Sequence, residues 1–283
     1  MATPPPPQEK PTIVLVSGAW CVPAHYSALT HALSTAGFRV HAPTNPTCGG
    51  TSARPATAAA VAVSYADDVR HLRAVLAERV EAAGESVVLV MHSYGGAIGT
   101  AAVPRSLTAA ARRARGLPGG VTHLVYLCAY LLPRHWCPMD VVRQAGALQL
   151  LADEVEVAAD GGACMLKHPV EALCHDLEDP AERQRQADLL VWFPPAALGV
   201  KASDCDGDDG GFEAWREVPA TYVRTTEDRC VPPAYQELML KEVEKSGVEI
   251  RQLSLQTSHA VYATKTQEIV KLVEEISGSG GGK

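Results

Sequence analysis

Two kinds of segment alternate along most of this chain. One kind is a short stretch with strand character, found at 12–16, 38–42, 86–91, 122–128, 220–224 and 248–255, of which 12–16 is an apolar, β-branched run. The other carries apolar residues at helical spacing, as in 26–37, where Leu29 and Leu33 lead into Phe38. The same spacing runs through 58–83 up to Gly84, through 97–115, and through 233–245 and 262–276. Runs that are apolar throughout suit strands buried on both faces. Strands separated by helical crossovers pair in parallel, so the pattern predicts an α/β fold with a doubly wound, mostly parallel sheet.

The alternation stops at Pro133 and resumes at 220. Between them, 134–217 holds short helical pieces at about 138–151 and 180–191, acidic patches and the Gly/Asp run 204–211. We expect this block to be an inserted, mainly helical cap over the carboxyl edge of the sheet. The core is then 11–133 together with 218–276. Residues 1–10, rich in proline, read as a disordered lead, and the Gly/Ser-rich 277–283 as a flexible tail. No internal repeat is present.

Composition narrows the classes of function. A chain of 283 residues with 47% hydrophobic and 20% charged content can bury one large core. A formal charge of −7 with no basic stripe argues against a nucleic-acid partner. No apolar run reaches the length of a membrane span, so no membrane partner is expected. The first residues lack an apolar signal core, and the expected location is the cytoplasm. The eight cysteines form no C-x-x-C pair and are expected to be reduced thiols. The run beginning at Asp204 fails as a calcium loop, because Asp209 and Trp215 stand where glycine and glutamate are required. There is no dinucleotide fingerprint or phosphate loop, and Cys and His are not grouped at zinc spacing. The expectation is therefore no cofactor, no metal, a small-molecule substrate, and a monomer or homodimer.

The chemistry enters at His92-Ser93-Tyr94-Gly95-Gly96, directly behind the run 86–91 and ahead of a helical pattern. This is strand, sharp turn and helix with a serine at the apex. A serine hydroxyl is a poor nucleophile unless the backbone exposes it beside a base. A nucleophile elbow does so, with small residues relieving the crowding of the turn. Gly95 fills the second small position, and Met91 stands where the usual motif has its first glycine. His92 is expected to point away from the attack face and to pack.

A base and an orienting acid complete such a site. Thr226-Glu227-Asp228-Arg229 lies just beyond the strand 220–224, and Thr257-Ser258-His259 just beyond 248–255. Glu227 and Asp228 are both candidates for the acid, and His259 is the candidate base. The chain order serine, acid, histidine is that of α/β-hydrolases, and every member lies at a strand's carboxyl end, where open α/β sheets place their sites. The oxyanion donors are expected to be the backbone N–H of Tyr94 and that of Ala19, in Ser17-Gly18-Ala19-Trp20 after the first strand.

These stretches carry a resemblance. Val14-Leu-Val-Ser-Gly-Ala-Trp20, Val88-Leu-Val-Met-His-Ser-Tyr-Gly-Gly96, Thr226-Glu-Asp228 with Pro232, and Thr257-Ser-His259 are similar to small α/β-hydrolases of the fungal and bacterial esterase type, related to plant methylesterases and hydroxynitrile lyases. The chain departs from that pattern at Ser17, where histidine or proline is common, and at Met91. The resemblance implies Asp228 rather than Glu227 as the acid, a sheet lacking the first two strands of larger relatives, and a cap inserted after 122–128. It also implies a serine hydrolase of a carboxylic ester or lactone of a small, largely apolar molecule. The alternatives are lyase or cyclase chemistry on a polyketide-like metabolite with the same triad, and a small-molecule receptor. Trp20, Tyr94 and Tyr130 are the candidate pocket residues nearest the site. Trp136, Trp192 and Phe193 either line the pocket or anchor the cap.

Overall fold

A computed structural model describes residues 10–53, 63–205 and 211–278. All of the expected lead but Lys10, most of the Gly/Asp run, the start of the helical pattern at 58 and most of the tail fall outside the described residues. Six parallel strands form the main sheet: β1 (Thr12–Val16), β2 (Val40–His41), β3 (Ser86–His92), β4 (Gly120–Leu127), β7 (Ala220–Thr225) and β8 (Arg251–Leu255). Their order is β2-β1-β3-β4-β7-β8. β1 is buried along its whole length, and β3 from Val87 onward, as expected of strands covered on both faces.

From β1 the chain steps outward to β2, then returns across β1 to β3 and continues to β8. With right-handed crossovers, that reversal puts helix Ser27–Thr35 on one face and helices Tyr65–Ala77 and Gly95–Ala102 on the other. The packing agrees: Ser27–Thr35 lies against Thr266–Gly278, and Tyr65–Ala77 against Gly95–Ala102. The reversal point lies between β1 and β3. A crevice opens outside the carboxyl ends of strands at such a point. The register pairs Val16 with Met91 and His92 with Leu127, so the residues following β1, β3 and β4 emerge side by side.

Several elements differ from their sequence-based expectation. The helical pattern 97–115 is broken: one helix ends at Ala102, and a second spans Ala109–Ala114. Pro104 explains the break, since proline lacks an N–H and forces the residue before it out of helical geometry. Val103 is accordingly extended, at φ −93° and ψ 97°. The helix after β2 finishes as a π-helical turn, Glu78–Ala82. β8 begins at Arg251 rather than 248, and the last helical pattern splits at Lys265 into Val261–Thr264 and Thr266–Gly278.

The segment between β4 and β7 holds short helices, among them Pro138–Gln144, Leu148–Glu154, Pro169–Leu173 and Pro180–Asp188. It also holds an antiparallel hairpin that periodicity did not predict, β5 (Val155–Val157) with β6 (Cys164–Leu166). Each strand is three residues long, too short for alternation to register. Among the described residues, no helix is long and apolar enough to cross a membrane. The described residues include all eight cysteines, and no disulfide forms among them.

Candidate active site

Ser93 sits at the apex of the turn between β3 and helix Gly95–Ala102, in the left-handed region at φ 54°. Trp20 (φ 62°) and Cys128 (φ 40°) are the other described non-glycine residues with positive φ. The three follow β3, β1 and β4, so the strained backbone gathers at one place on the sheet edge, as it does at functional sites. The turn is tight enough that a Cβ on Gly95 would lie 2.6 Å from Val16 O. Met91, which replaces the first elbow glycine, is fully buried, and a Cβ on Gly99 would collide with its Sδ. A glycine one helical turn beyond the elbow therefore supplies the room that a glycine at 91 would have given.

Asp228 and His259 meet at the same edge. His259 Nδ1 lies 2.8 Å from Asp228 Oδ2. The same oxygen accepts from Thr225 Oγ1 at 2.8 Å, and Oδ1 accepts the N–H groups of Cys230 (2.9 Å) and Val231 (2.7 Å). The carboxylate is fixed by the loop that carries it and can only accept, so His259 Nδ1 holds a proton. Glu227 is exposed, and its Oε1 accepts from Gln256 Nε2 instead. Burial by itself pushes His259 down, but the Asp228 carboxylate beside it wins and leaves the imidazole well above its ordinary value.

The loop after β1 closes the other side. A Cβ on Gly18 would lie 2.9 Å from Ser93 Cβ, so glycine is what lets this loop approach the serine. Neither Ala19 N–H nor Tyr94 N–H donates to any described residue. Two backbone donors are thus left beside Ser93, as an oxyanion requires.

The structure gives His92 more than a packing role. Its Nε2 lies 3.0 Å from His259 O, and its Nδ1 lies 2.8 Å from Tyr26 Oη, which accepts from Gly18 N–H at 2.9 Å. A carbonyl only accepts, so Nε2 carries the proton and Nδ1 accepts from the phenol. Burial, helped by neighbouring His259, pushes His92 well below its ordinary value and keeps it neutral. One uncharged chain of hydrogen bonds thus runs from the β1 loop to the main chain of His259. Its members are 66 and 167 residues apart in sequence, so no local motif announces it.

The segment between β4 and β7 grips both sides. Trp20 Nε1–H donates to Cys164 O at 3.0 Å, and Val191 N–H donates to Trp20 O at 2.9 Å. Leu173 O accepts from Ala260 N–H (2.7 Å) and Ser258 Oγ (2.9 Å). Asp176 Oδ2 accepts from Thr257 Oγ1 (2.7 Å) and Ser258 N–H (2.9 Å). Burial opposes ionisation of Asp176, but these hydrogen bonds outweigh it and leave its carboxyl below the ordinary range.

The candidate aromatic residues divide. Trp20, Phe193 and Tyr94 form one cluster, with ring centroids 5.5 Å and 5.2 Å apart. The Tyr94 hydroxyl is turned away from ligand contact and donates to Asp68 Oδ2 at 2.9 Å, and Thr47 donates to both oxygens of that carboxylate. Burial pushes Asp68 up to about 6. Tyr130 joins the site through its backbone, donating to Ser93 O at 2.9 Å. Trp192 packs with Ala158 and Ala163 at the hairpin. Trp136 lines a separate cavity of about 20 Å³ with Tyr65, Ala97 and Phe212. These last two anchor the inserted segment rather than join the Trp20 cluster.

His92, Cys128 and His259 bring ligand-type atoms within 4.8 Å of one another. Both His92 nitrogens, the Cys128 thiol (3.4 Å from His259 O) and His259 Nδ1 are already hydrogen-bonded. His259 Nε2 alone has no hydrogen bond to the described residues, so the trio offers a proton acceptor rather than a metal cage. Burial raises the Cys128 thiol to about 11 and the Cys21 thiol to about 12, so neither is a thiolate near neutrality.

Comparison with known proteins agrees with the fold. The chain is 24% identical over 277 residues to an alpha/beta hydrolase, nvfD, of Aspergillus novofumigatus, covering 95% of this chain and 97% of that one. It is 25% identical over 274 residues to a probable hydrolase, R7, of a Phoma species, covering 95% and 99%. Among solved structures, a pyrethroid hydrolase from Sphingobium faniae JZ-2 shares the fold, with a TM-score of 0.67 at 21% identity over 95% of this chain and 98% of that one. The model of the alpha/beta hydrolase family matches residues 13–272, nearly the whole of the described core. The chain belongs to the alpha/beta hydrolase family.

Proposed function

We propose that this protein is a serine hydrolase that cleaves a carboxylic ester or lactone of a small, largely apolar molecule, with Ser93, His259 and Asp228 as its triad. The observation that carries this reading is the 2.8 Å bond between His259 Nδ1 and a fully bonded Asp228, which leaves Nε2 for proton transfer at the sheet edge that also carries Ser93. Ser93 Oγ attacks the carbonyl carbon as His259 Nε2 takes its proton. The oxyanion forms against the N–H groups of Ala19 and Tyr94. Collapse expels the alcohol, which takes the proton back from His259, and water repeats the cycle on the acyl-enzyme. No cofactor is called for by these steps. Asp228 holds the imidazole in the correct tautomer and stabilises its charged form.

The test joins labelling to turnover. An organophosphonate probe should modify Ser93, and short-chain aryl esters should turn over many times. Ser93→Ala should lose about 10⁴-fold or more in kcat while keeping its fold, measured by circular dichroism. Near-normal turnover by folded Ser93→Ala removes the nucleophile. Labelling without hydrolysis of any ester or lactone moves the reading to lyase or cyclase chemistry.

A further inference from the structure

Asp228 fixes the ring of His259, but the ring also depends on the main chain that carries it. Residues 257–260 lie between β8 and helix Val261–Thr264, and all four are buried. The His259 carbonyl accepts from His92 Nε2–H at 3.0 Å and from the Cys128 thiol at 3.4 Å. The N–H groups on either side of it, those of Ser258 and Ala260, both turn to the inserted segment. Ser258 N–H donates to Asp176 Oδ2 at 2.9 Å, and Ala260 N–H to Leu173 O at 2.7 Å. The stretch 173–176 therefore brackets the base.

Within that bracket Leu173 offers a main-chain carbonyl, whereas Asp176 offers a side chain. Its Oδ2 takes a second donor from the same loop, Thr257 Oγ1 at 2.7 Å. The two partners stand 81 and 82 residues away in sequence, so the carboxylate joins distant parts of the chain. Its carboxyl is held below the ordinary range by these bonds, which makes both of them charge-assisted near neutrality. Oδ1 is enclosed and has no hydrogen bond to the described residues, so one oxygen carries both contacts.

We propose that Asp176 is a positioning residue for His259: the inserted segment supplies a second carboxylate, which fixes the main chain of the base as Asp228 fixes its ring. This rests on the hydrolase reading above and names a further residue on which its turnover depends. Nε2 must take the Ser93 proton and then return it to the departing alcohol while Nδ1 stays on Asp228. The pivot for both steps is the His259 Cα, and a misplacement of about 1 Å can cost about 100-fold in rate. Asp176 acts through Thr257 and Ser258 rather than on the substrate, so its loss falls on kcat and spares KM.

Asp176→Ala and Asp176→Asn separate this role from a merely structural one. The side-chain oxygen of asparagine can accept both bonds, and its amide nitrogen would stand where Oδ1 makes no described bond. On 4-nitrophenyl acetate and butyrate alike, Asp176→Ala should lose about 30-fold in kcat with KM within about twofold. Asp176→Asn should recover kcat to within about fivefold of the parent, the remaining loss reflecting the missing charge. Thr257→Val deletes one of the two bonds from its other end and should lose about fivefold in kcat, which keeps the contact testable should Asp176→Ala fail to fold. A second readout needs no turnover: the downfield proton resonance of His259 Nδ1–H, assigned by its absence in His259→Ala. It should be displaced or lost in Asp176→Ala and restored in Asp176→Asn. A kcat within twofold of the parent in Asp176→Ala, equal losses in the two Asp176 variants, a loss confined to KM, or a resonance unmoved in Asp176→Ala would overturn the proposal. A parent protein that hydrolyses no ester, while the resonance responds as expected, would instead overturn the hydrolase reading and leave the Asp176 contact standing.

Discussion

The two flanks of Ser93 are held by different physics. On the β1 side, Gly18 is fixed by a neutral relay through Tyr26 and His92, and Asn45 Nδ2 donates to Ser17 O at 3.0 Å. On the β7 and β8 side, carboxylates do the holding: Asp228 takes the imidazole, and Asp176 takes Thr257 and Ser258. Neutral bonds keep their strength over a wide pH range, whereas a charge-assisted bond changes with the protonation of its members. The lesson is a division of labour. On the proposed mechanism, the loop offered to the oxyanion is indifferent to pH, and the base responds to it.

The largest test of that division is Asp228→Asn. We expect kcat to fall by about 10³- to 10⁴-fold, because an amide no longer enforces the tautomer. Activity requires neutral His259, so kcat/KM rises with pH through the histidine's pKa. In the parent protein that limb should lie above about 6.5, because Asp228 raises the imidazole. In Asp228→Asn the raising charge is gone and burial remains, so the limb should move down. A pH profile of kcat/KM measures both, and an unmoved limb would deny Asp228 its electrostatic part.

A smaller effect is expected on the neutral flank. Tyr26→Phe strands the Gly18 N–H and His92 Nδ1, and should lower kcat about tenfold by loosening the loop. The loss should be uniform with pH and the limb should stay where it was, since no charge has been removed. A shifted limb in Tyr26→Phe would dissolve the contrast between the flanks.

The smallest effect concerns Ser17. Its hydroxyl is enclosed without a hydrogen bond to the described residues. Ser17→Ala removes a buried orphan and should leave kcat/KM within about twofold, with stability unchanged or raised by up to about 1 kcal/mol in urea denaturation. A large loss would mean that the hydroxyl serves the oxyanion loop after all.

What the sequence made legible follows from how local each signal is. The apolar runs and their exits placed Ser93, Asp228 and His259 at one sheet edge, because strand ends are encoded within a few residues. The break at Pro104 was equally local and readable in principle, but the apolar spacing on both sides of it masked it. The His92 relay was not readable, because Tyr26 and His259 become neighbours only through the β1–β3–β4 order. Nor was the grip of the inserted segment, since Cys164 O, Leu173 O and Val191 N–H are main-chain groups that leave no mark on residue type. Trp136 and Trp192 show the converse limit: their residue type left pocket lining and cap anchoring open, because type alone does not say which cavity a ring enters.

That grip bears on how such a protein can change over generations. The segment between β4 and β7 is tied to Trp20 and to Ala260 by backbone groups at its own end of each bond. Its side chains other than Asp176 and Gln186, which make ties of their own, can be replaced one at a time while those backbone ties survive, provided the path of the chain is kept. Exchanging the whole segment for one of different path would remove them together and release the loops on both sides of Ser93. Gradual drift in ligand preference is therefore open to this protein, whereas recombination of the segment as a ready-made module would cost it the alignment of the very groups it was recruited to serve.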